Sequence, residues 1–148
     1  MIRKVMYKDL NTVLQSAAKF YPTTHYAETD ELDVDSVTDV IMDLIDNGVF
    51  LLDETDDGAF TGMIGIVAHP FLFNRNNIKG YELIWWVEPA YQHTGIGIQL
   101  LAEAAALCKA KGINAIQMTH MTTSPPQAAK ALVKAGYFHS ESSYTLRL

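Results

Sequence analysis

Between Val87 and Gly97 the chain reads Val87-Glu88-Pro89-Ala90-Tyr91-Gln92-His93-Thr94-Gly95-Ile96-Gly97, an apolar strand end, a short loop and two glycines opening a helix. A strand-to-helix turn of this kind leaves the first backbone N–H groups of the helix without partners and adds the positive end of the helix dipole. The chemistry available there is anion binding. Gly95 and Gly97 let the main chain approach a phosphate with no side chain between, so a pyrophosphate is the natural ligand. Just upstream, Glu82 is the one ionisable residue in Glu82-Leu83-Ile84-Trp85-Trp86-Val87. A carboxylate in an apolar strand costs desolvation unless it is paired or opens into a cleft, and such groups mark sites more often than ordinary carboxylates do.

Two nucleotide-binding signatures are close to this loop and neither fits. The dinucleotide fingerprint needs a third glycine where Leu100 stands, and a phosphate loop of the Gly-Lys-Ser or Gly-Lys-Thr kind has no counterpart in the chain. An isolated Gly-x-Gly is also compatible with a turn that only connects strand to helix.

The elements that must position these residues follow from periodicity. A short strand spans residues 2–6. Val13, Leu14, Ala17, Ala18 and Phe20 recur at helical spacing, with Asp9 or Asn11 as cap and Tyr21-Pro22 as the stop. Val37, Val40, Ile41, Leu44 and Ile45 give a second helix ending at Asn47-Gly48. Val49-Phe50-Leu51-Leu52 reads as a buried strand, turned by Asp56-Asp57-Gly58 into an antiparallel partner over 59–68 that His69-Pro70 closes. Gly62 and Gly65 within that partner are read as room for large neighbours. Asn74-Arg75-Asn76-Asn77 is expected as a polar loop before an aromatic strand over 81–87.

After Gly95 the clearest helix of the chain carries Ile96, Leu100, Leu101, Ala104, Ala105, Leu107 and Cys108, and ends at Lys111-Gly112 with its cations at the negative pole. A strand over 113–120 and a helix opening at Ser124-Pro125 and ending at Ala135-Gly136-Tyr137 follow. The tail, residues 137–148, alternates loosely and predicts one or two more strands. The result is a mixed α/β chain.

Its 148 residues suit a single domain, residues 1–148. With 49% hydrophobic and 19% charged residues, disorder and collagen-like structure are excluded. Eleven Lys and Arg against 17 Asp and Glu give a formal charge of −6, which repels phosphate backbones and argues against nucleic acid as partner. No apolar run approaches the roughly 18 residues of a membrane span, and the start lacks a signal-peptide core, so a cytoplasmic protein with no membrane partner is expected. The lone Cys108 falls on the apolar side of its helix and reads as a small core residue. His25, His69, His93, His120 and His139 lack ligand spacing, so no metal is expected.

Gln92-x-x-Gly95-x-Gly97 after a strand ending Val87-x-Pro89 resembles motif A of the GNAT acyltransferases, the GCN5-related N-acetyltransferases. Gly136-Tyr137 is similar to the Gly-Phe or Gly-Tyr that follows their last helix. The element order matches from about residue 2 to 148, and the Glu-x-x-Trp-Trp-Val strand at 82–87 resembles a small subgroup. The resemblance implies the GNAT fold: a mixed, mostly antiparallel central sheet flanked by helices on both faces, with the fourth and fifth strands splayed. It implies acetyl-coenzyme A as cosubstrate, its pyrophosphate on the N–H groups of Gln92, His93, Thr94, Gly95, Ile96 and Gly97, and its pantetheine arm along Trp85, Trp86 and Val87. Backbone near Val87 would hold the thioester carbonyl, where an N–H aimed at the tetrahedral oxyanion gives electrostatic help.

In that setting the attacking amine must lose a proton, directly or through a water, and Glu82 is the candidate base with His120 in reserve. The chain departs from the family where its general acid belongs. Pro125 and Leu132 stand in the positions of the usual Asn and Tyr, so water, Ser124 or Tyr144 would have to protonate the coenzyme A thiolate. The expected activity is therefore direct acetyl transfer to a primary amine of a small molecule or peptide, the alternative being a non-catalytic acyl-coenzyme A-binding or interaction protein. Trp85 and Trp86 must point to opposite faces of their strand, one into the core and one toward the cleft. The acids Glu28, Asp30, Glu31, Asp33, Asp35 and Asp39 could draw in a cationic amine, though solvation and helix capping explain them more simply. Family members often dimerise, and the aromatic strands and the tail are the surfaces this sequence offers for a homodimer.

Overall fold

Successive side chains of a strand point to opposite faces, and in Val49-Phe50-Leu51-Leu52 this alternation builds both layers of the molecule. Val49 and Leu51 join one buried cluster, Phe50 and Leu52 the other. The computed structural model describes all 148 residues. Five strands, β1 Ile2–Lys4, β2 Val49–Glu54, β3 Phe60–Phe71, β4 Asn74–Val87 and β5 Ile113–Gln117, lie side by side in sequence order. The first three pairings are antiparallel and β4 with β5 is parallel. Helices α1 Leu10–Phe20 and α2 Val34–Asn47 cover one face; α3 Ile96–Ala110 and α4 Pro126–Lys134 cover the other.

Each helix buries the stripe its sequence provides. Val13, Ala17, Ile41 and Leu44 pack with Phe50, Leu52 and Met63. On the opposite face Leu100, Leu101, Ala104, Cys108 and Leu132 pack with Ile64, Ile66 and Ile113. Gly65 is small because a Cβ would lie 2.9 Å from Leu44 Cδ1, which agrees with the packing role expected for it. The Asp33 side chain caps α2 by accepting from the Ser36 hydroxyl and, at 2.9 Å, from the Ser36 N–H, and these two bonds hold its carboxyl below the usual range. Asp9 occupies the N-cap of α1 but does not cap it. Its carboxylate instead takes both guanidinium nitrogens of Arg3, at 2.7 and 2.9 Å, and the Met6 N–H at 2.9 Å. No helix is long and apolar enough to cross a membrane.

Three expectations are corrected. His69-Pro70 does not close β3, which runs on to Phe71. The pairing of β2 with β3 ends at Val49 and Ile66, so beyond Ile66 β3 pairs with β4 alone and its other edge is open, the kind of edge on which a proline is tolerated. Asn74 to Asn77 belong to β4 rather than to a loop. Residues Asn74, Arg75 and Asn76 are exposed, so no apolar side chain is required of them, and Leu72-Phe73 makes the turn. Finally, residues 138–148 form no strand. They carry a strand's alternation, but no backbone hydrogen bond is made beyond Tyr137 N–H to Leu132 O, and alternation without a pairing partner does not make a sheet.

Candidate functional site

The register of β4 holds an irregularity that brings the site together. Glu82 lies opposite Ile66 and Ile84 opposite Gly65, leaving Leu83 without a partner as a bulge. Trp85 lies opposite Ile64. Ile64 and Ile66 both belong to the cluster under α3, so Glu82 and Trp85 share that face although a regular strand would separate residues three apart.

Strands β4 and β5 pair only from Ile78–Ile113 to Tyr81–Gln117 and then part. At the fork the Glu82 carboxylate accepts the Thr119 backbone N–H at 3.1 Å. Burial pushes its pKa up to about 7, with the Thr119 N–H acting against the rise. A carboxyl at that value can take a proton near neutral pH and give it up again.

On the same face β4 runs out into the glycine loop. His93, Thr94, Gly95, Ile96 and Gly97 find no acceptor for their backbone N–H groups. His93 and Gly95 both have positive φ, 67° and 93°, a conformation that turns successive N–H groups toward a shared concavity suited to anions. His93 is the one residue other than glycine held there. Gln92 Nε2 donates to Val87 O at 3.1 Å and Thr94 Oγ1 to Tyr91 O at 2.5 Å, which pins the loop to the strand end. A Cβ on Gly95 would meet nothing within 4 Å, so this side of the loop is open to a ligand.

Gly97 has a further partner. Trp85 Nε1 donates to its carbonyl at 3.2 Å, and a Cβ there would sit 3.3 Å from Trp85 Cζ2. The missing side chain therefore makes room for the indole as well as for any phosphate. The two tryptophans do split between faces as expected. Trp86 packs on the α1 side edge-on to Phe20, ring centroids 5.7 Å apart, and its buried Nε1 has no hydrogen-bond partner.

Glu88, read from sequence only as the strand's end, is a positioning residue. Its carboxylate accepts from Ser16 Oγ at 3.2 Å and from Lys19 Nζ at 3.1 Å, fastening α1 to the point where the loop begins. An acid directly before a loop proline was the available signal.

The remaining candidates are engaged with other groups or exposed. His120 Nε2 is 3.3 Å from Pro125 O. Ser124 Oγ accepts the Met121 N–H at 3.0 Å, and Tyr144 stands in solvent, 95% exposed. Leu132 is a core residue. Cys108 is buried in α3, and burial pushes its thiol up, as fits an inert core position. Of the acidic run, Glu28 pairs with Arg147 at 3.3 Å and Asp33 serves as the α2 cap.

Comparison with known proteins decides the family. The acetyltransferase (GNAT) family profile matches residues 10–137. The chain belongs to the GNAT acetyltransferases. No curated protein sequence matches it. Among solved structures, this GNAT chain is similar to a transcriptional regulator from Bacillus halodurans C-125 at 18% identity and TM-score 0.79, with 100% of this chain and 99% of the other covered. A predicted acetyltransferase with acetyl-CoA from Clostridium acetobutylicum superposes at 17% identity and TM-score 0.76, covering 99% and 95%. An aminoglycoside acetyltransferase from an uncultured soil metagenomic sample, in complex with sisomicin, does so at 13% identity and TM-score 0.74, covering 100% and 94%. These likenesses carry the fold: the GNAT sheet, mostly antiparallel and flanked by helices on both faces.

Proposed function

We propose that this GNAT enzyme transfers acetyl from acetyl-coenzyme A directly to a primary amine, with Glu82 as base and the 92–97 loop as the pyrophosphate site. The observation that carries the reading is the shared face of Glu82 and Trp85, which joins a partly buried carboxylate to a loop with free N–H groups. The cosubstrate's pyrophosphate suits that loop: the N–H groups of His93 to Gly97 lack partners, the Gln92 N–H being held by Pro89 O, and Gly95 leaves their approach open. The thioester supplies an activated acyl carbon. Glu82 takes the proton of the attacking amine, directly or through one water, and a carboxyl with a pKa near 7 does so at neutral pH. The nitrogen–carbon bond forms, a backbone N–H near Val87 steadies the oxyanion, and the carbon–sulfur bond breaks to release coenzyme A thiolate. No covalent enzyme intermediate and no metal is needed.

One observation favours a second reading, an acyl-coenzyme A-binding protein without turnover. Leu132, where the family usually has its acid, is 8% exposed and packed in the core. Calorimetric titration with acetyl-coenzyme A, followed by an end-point thiol assay over a panel of small-molecule and peptide amines, separates the two. Saturable binding with thiol release is expected. Binding without release from any amine would favour the second reading, and absence of binding would remove the loop assignment.

A further inference from the structure

Charge is divided unevenly along the chain. All 17 Asp and Glu lie outside residues 58–81 and 104–140, whereas six of the 11 Lys and Arg lie inside them: Arg75, Lys79, Lys109, Lys111, Lys130 and Lys134. The fold gathers these two segments at one end. Ile78 of β4 pairs with Ile113 and Lys79 with Ala115, which sets the hairpin between β3 and β4 beside the start of β5. Lys109 and Gly112, at the end of α3, line one groove with Ala135 and Gly136, which follow α4. None of the six cations enters an ion pair, although Lys111 Nζ donates to Gly48 O at 2.9 Å. Asp43 and Asp46, near the end of α2, lie behind the other face of the sheet and accept from Asn47 and Tyr7.

The hairpin at this end is tipped with apolar side chains. Leu72 is 85% and Phe73 83% exposed. The Phe71 ring stands 5.6 Å from that of Phe73, and the Lys79 ammonium lies 5.3 Å from the centre of the Phe71 ring. Ala68, His69, Pro70 and Arg75 beside the tip are exposed as well. Apolar groups at the end of a hairpin with free cations around them are the two signals that together hold a protein on an anionic lipid surface.

We propose that this end of the molecule docks on an anionic membrane surface, Leu72 and Phe73 entering the acyl boundary while the surrounding cations meet the headgroups. A nucleic acid would satisfy the cations and leave the two apolar side chains in water. A fluid lipid surface receives a convex tip without a matching pocket. Such a contact needs no spanning segment, the feature whose absence argued against a membrane partner. The 15 residues of α3 hold the glycine loop about 22 Å from Lys111, so docking leaves the 92–97 loop clear of the lipid.

Co-sedimentation of the full chain with phosphatidylcholine vesicles, with and without phosphatidylglycerol, tests this. Binding to the anionic vesicles alone is expected, and it should fall as salt is raised. Phe73→Asp should weaken it roughly tenfold and Arg75→Glu several-fold, with both circular dichroism spectra unchanged. Phe73→Trp should gain a blue-shifted emission component on anionic vesicles, measured as the difference from wild type. Absence of binding, equal binding to neutral vesicles, or variants that bind as wild type does would each overturn the proposal. Retention of polyglutamate without vesicle binding would assign the surface to an acidic protein and overturn it too.

Discussion

The Glu82 carboxylate accepts the Thr119 N–H at 3.1 Å where β4 and β5 separate, so the base candidate sits in the fork of the sheet. One hydrogen bond does not offset its burial, which pushes its pKa up to about 7, above the ordinary carboxylate range. The active form of a base is the ionised one. Accordingly kcat/KM should rise with pH through about 7 and level off above it, and Glu82→Gln should lose that limb and most of the turnover. A pH–rate profile of both proteins on one amine is the check; identical profiles would remove Glu82 from the mechanism.

The same group makes a stability prediction of definite sign. A folded pKa above the unfolded one means stability is greatest below about 4.5 and is lost as pH rises through 7. Glu82→Gln keeps an acceptor for Thr119 and carries no charge. It should be more stable than wild type at pH 8 by up to about 3 kcal/mol and indistinguishable near pH 4. Urea titrations at the two pH values measure this.

Trp85 and Gly97 constrain each other through the indole's hydrogen bond and its contact with the glycine. Gly97→Val should weaken acetyl-coenzyme A binding at least tenfold and also lower stability by about 1–3 kcal/mol, the usual cost of overpacking. If the loop alone mattered, melting would be unchanged. A double-mutant cycle with Trp85→Phe should show coupling above about 0.5 kcal/mol, as expected for residues in contact.

Gly95 separates backbone conformation from packing, because a Cβ there meets nothing while φ is +93°. Gly95→Ala should cost about 1–2 kcal/mol through the left-handed conformation alone. The loop would relax, and affinity for acetyl-coenzyme A should fall with little change in KM for the amine.

Glu88 holds Ser16 and Lys19 against the end of β4. Glu88→Ala leaves the buried Ser16 hydroxyl unpaired and should destabilise the fold by about 1–2 kcal/mol. Thermal melts check the size; an unchanged melting point would mean that water replaces the carboxylate at no cost.

The sequence by itself determined the helices, the strand-loop-helix with its two glycines, the hairpin at Asp56-Asp57-Gly58 and the singular position of Glu82. All of these are written in local periodicity or turn chemistry, which depend on neighbours along the chain. Only the tertiary structure decided that Leu83 bulges, that Glu82 and Trp85 therefore share a face, that Trp85 rather than Trp86 lies on the loop's side, and that the alternating tail stays unpaired. Register and pairing are set by the opposite strand, as Ile64, Gly65 and Ile66 do for β4. A segment cannot carry in its own residues the identity of the partner that will complete its hydrogen bonds.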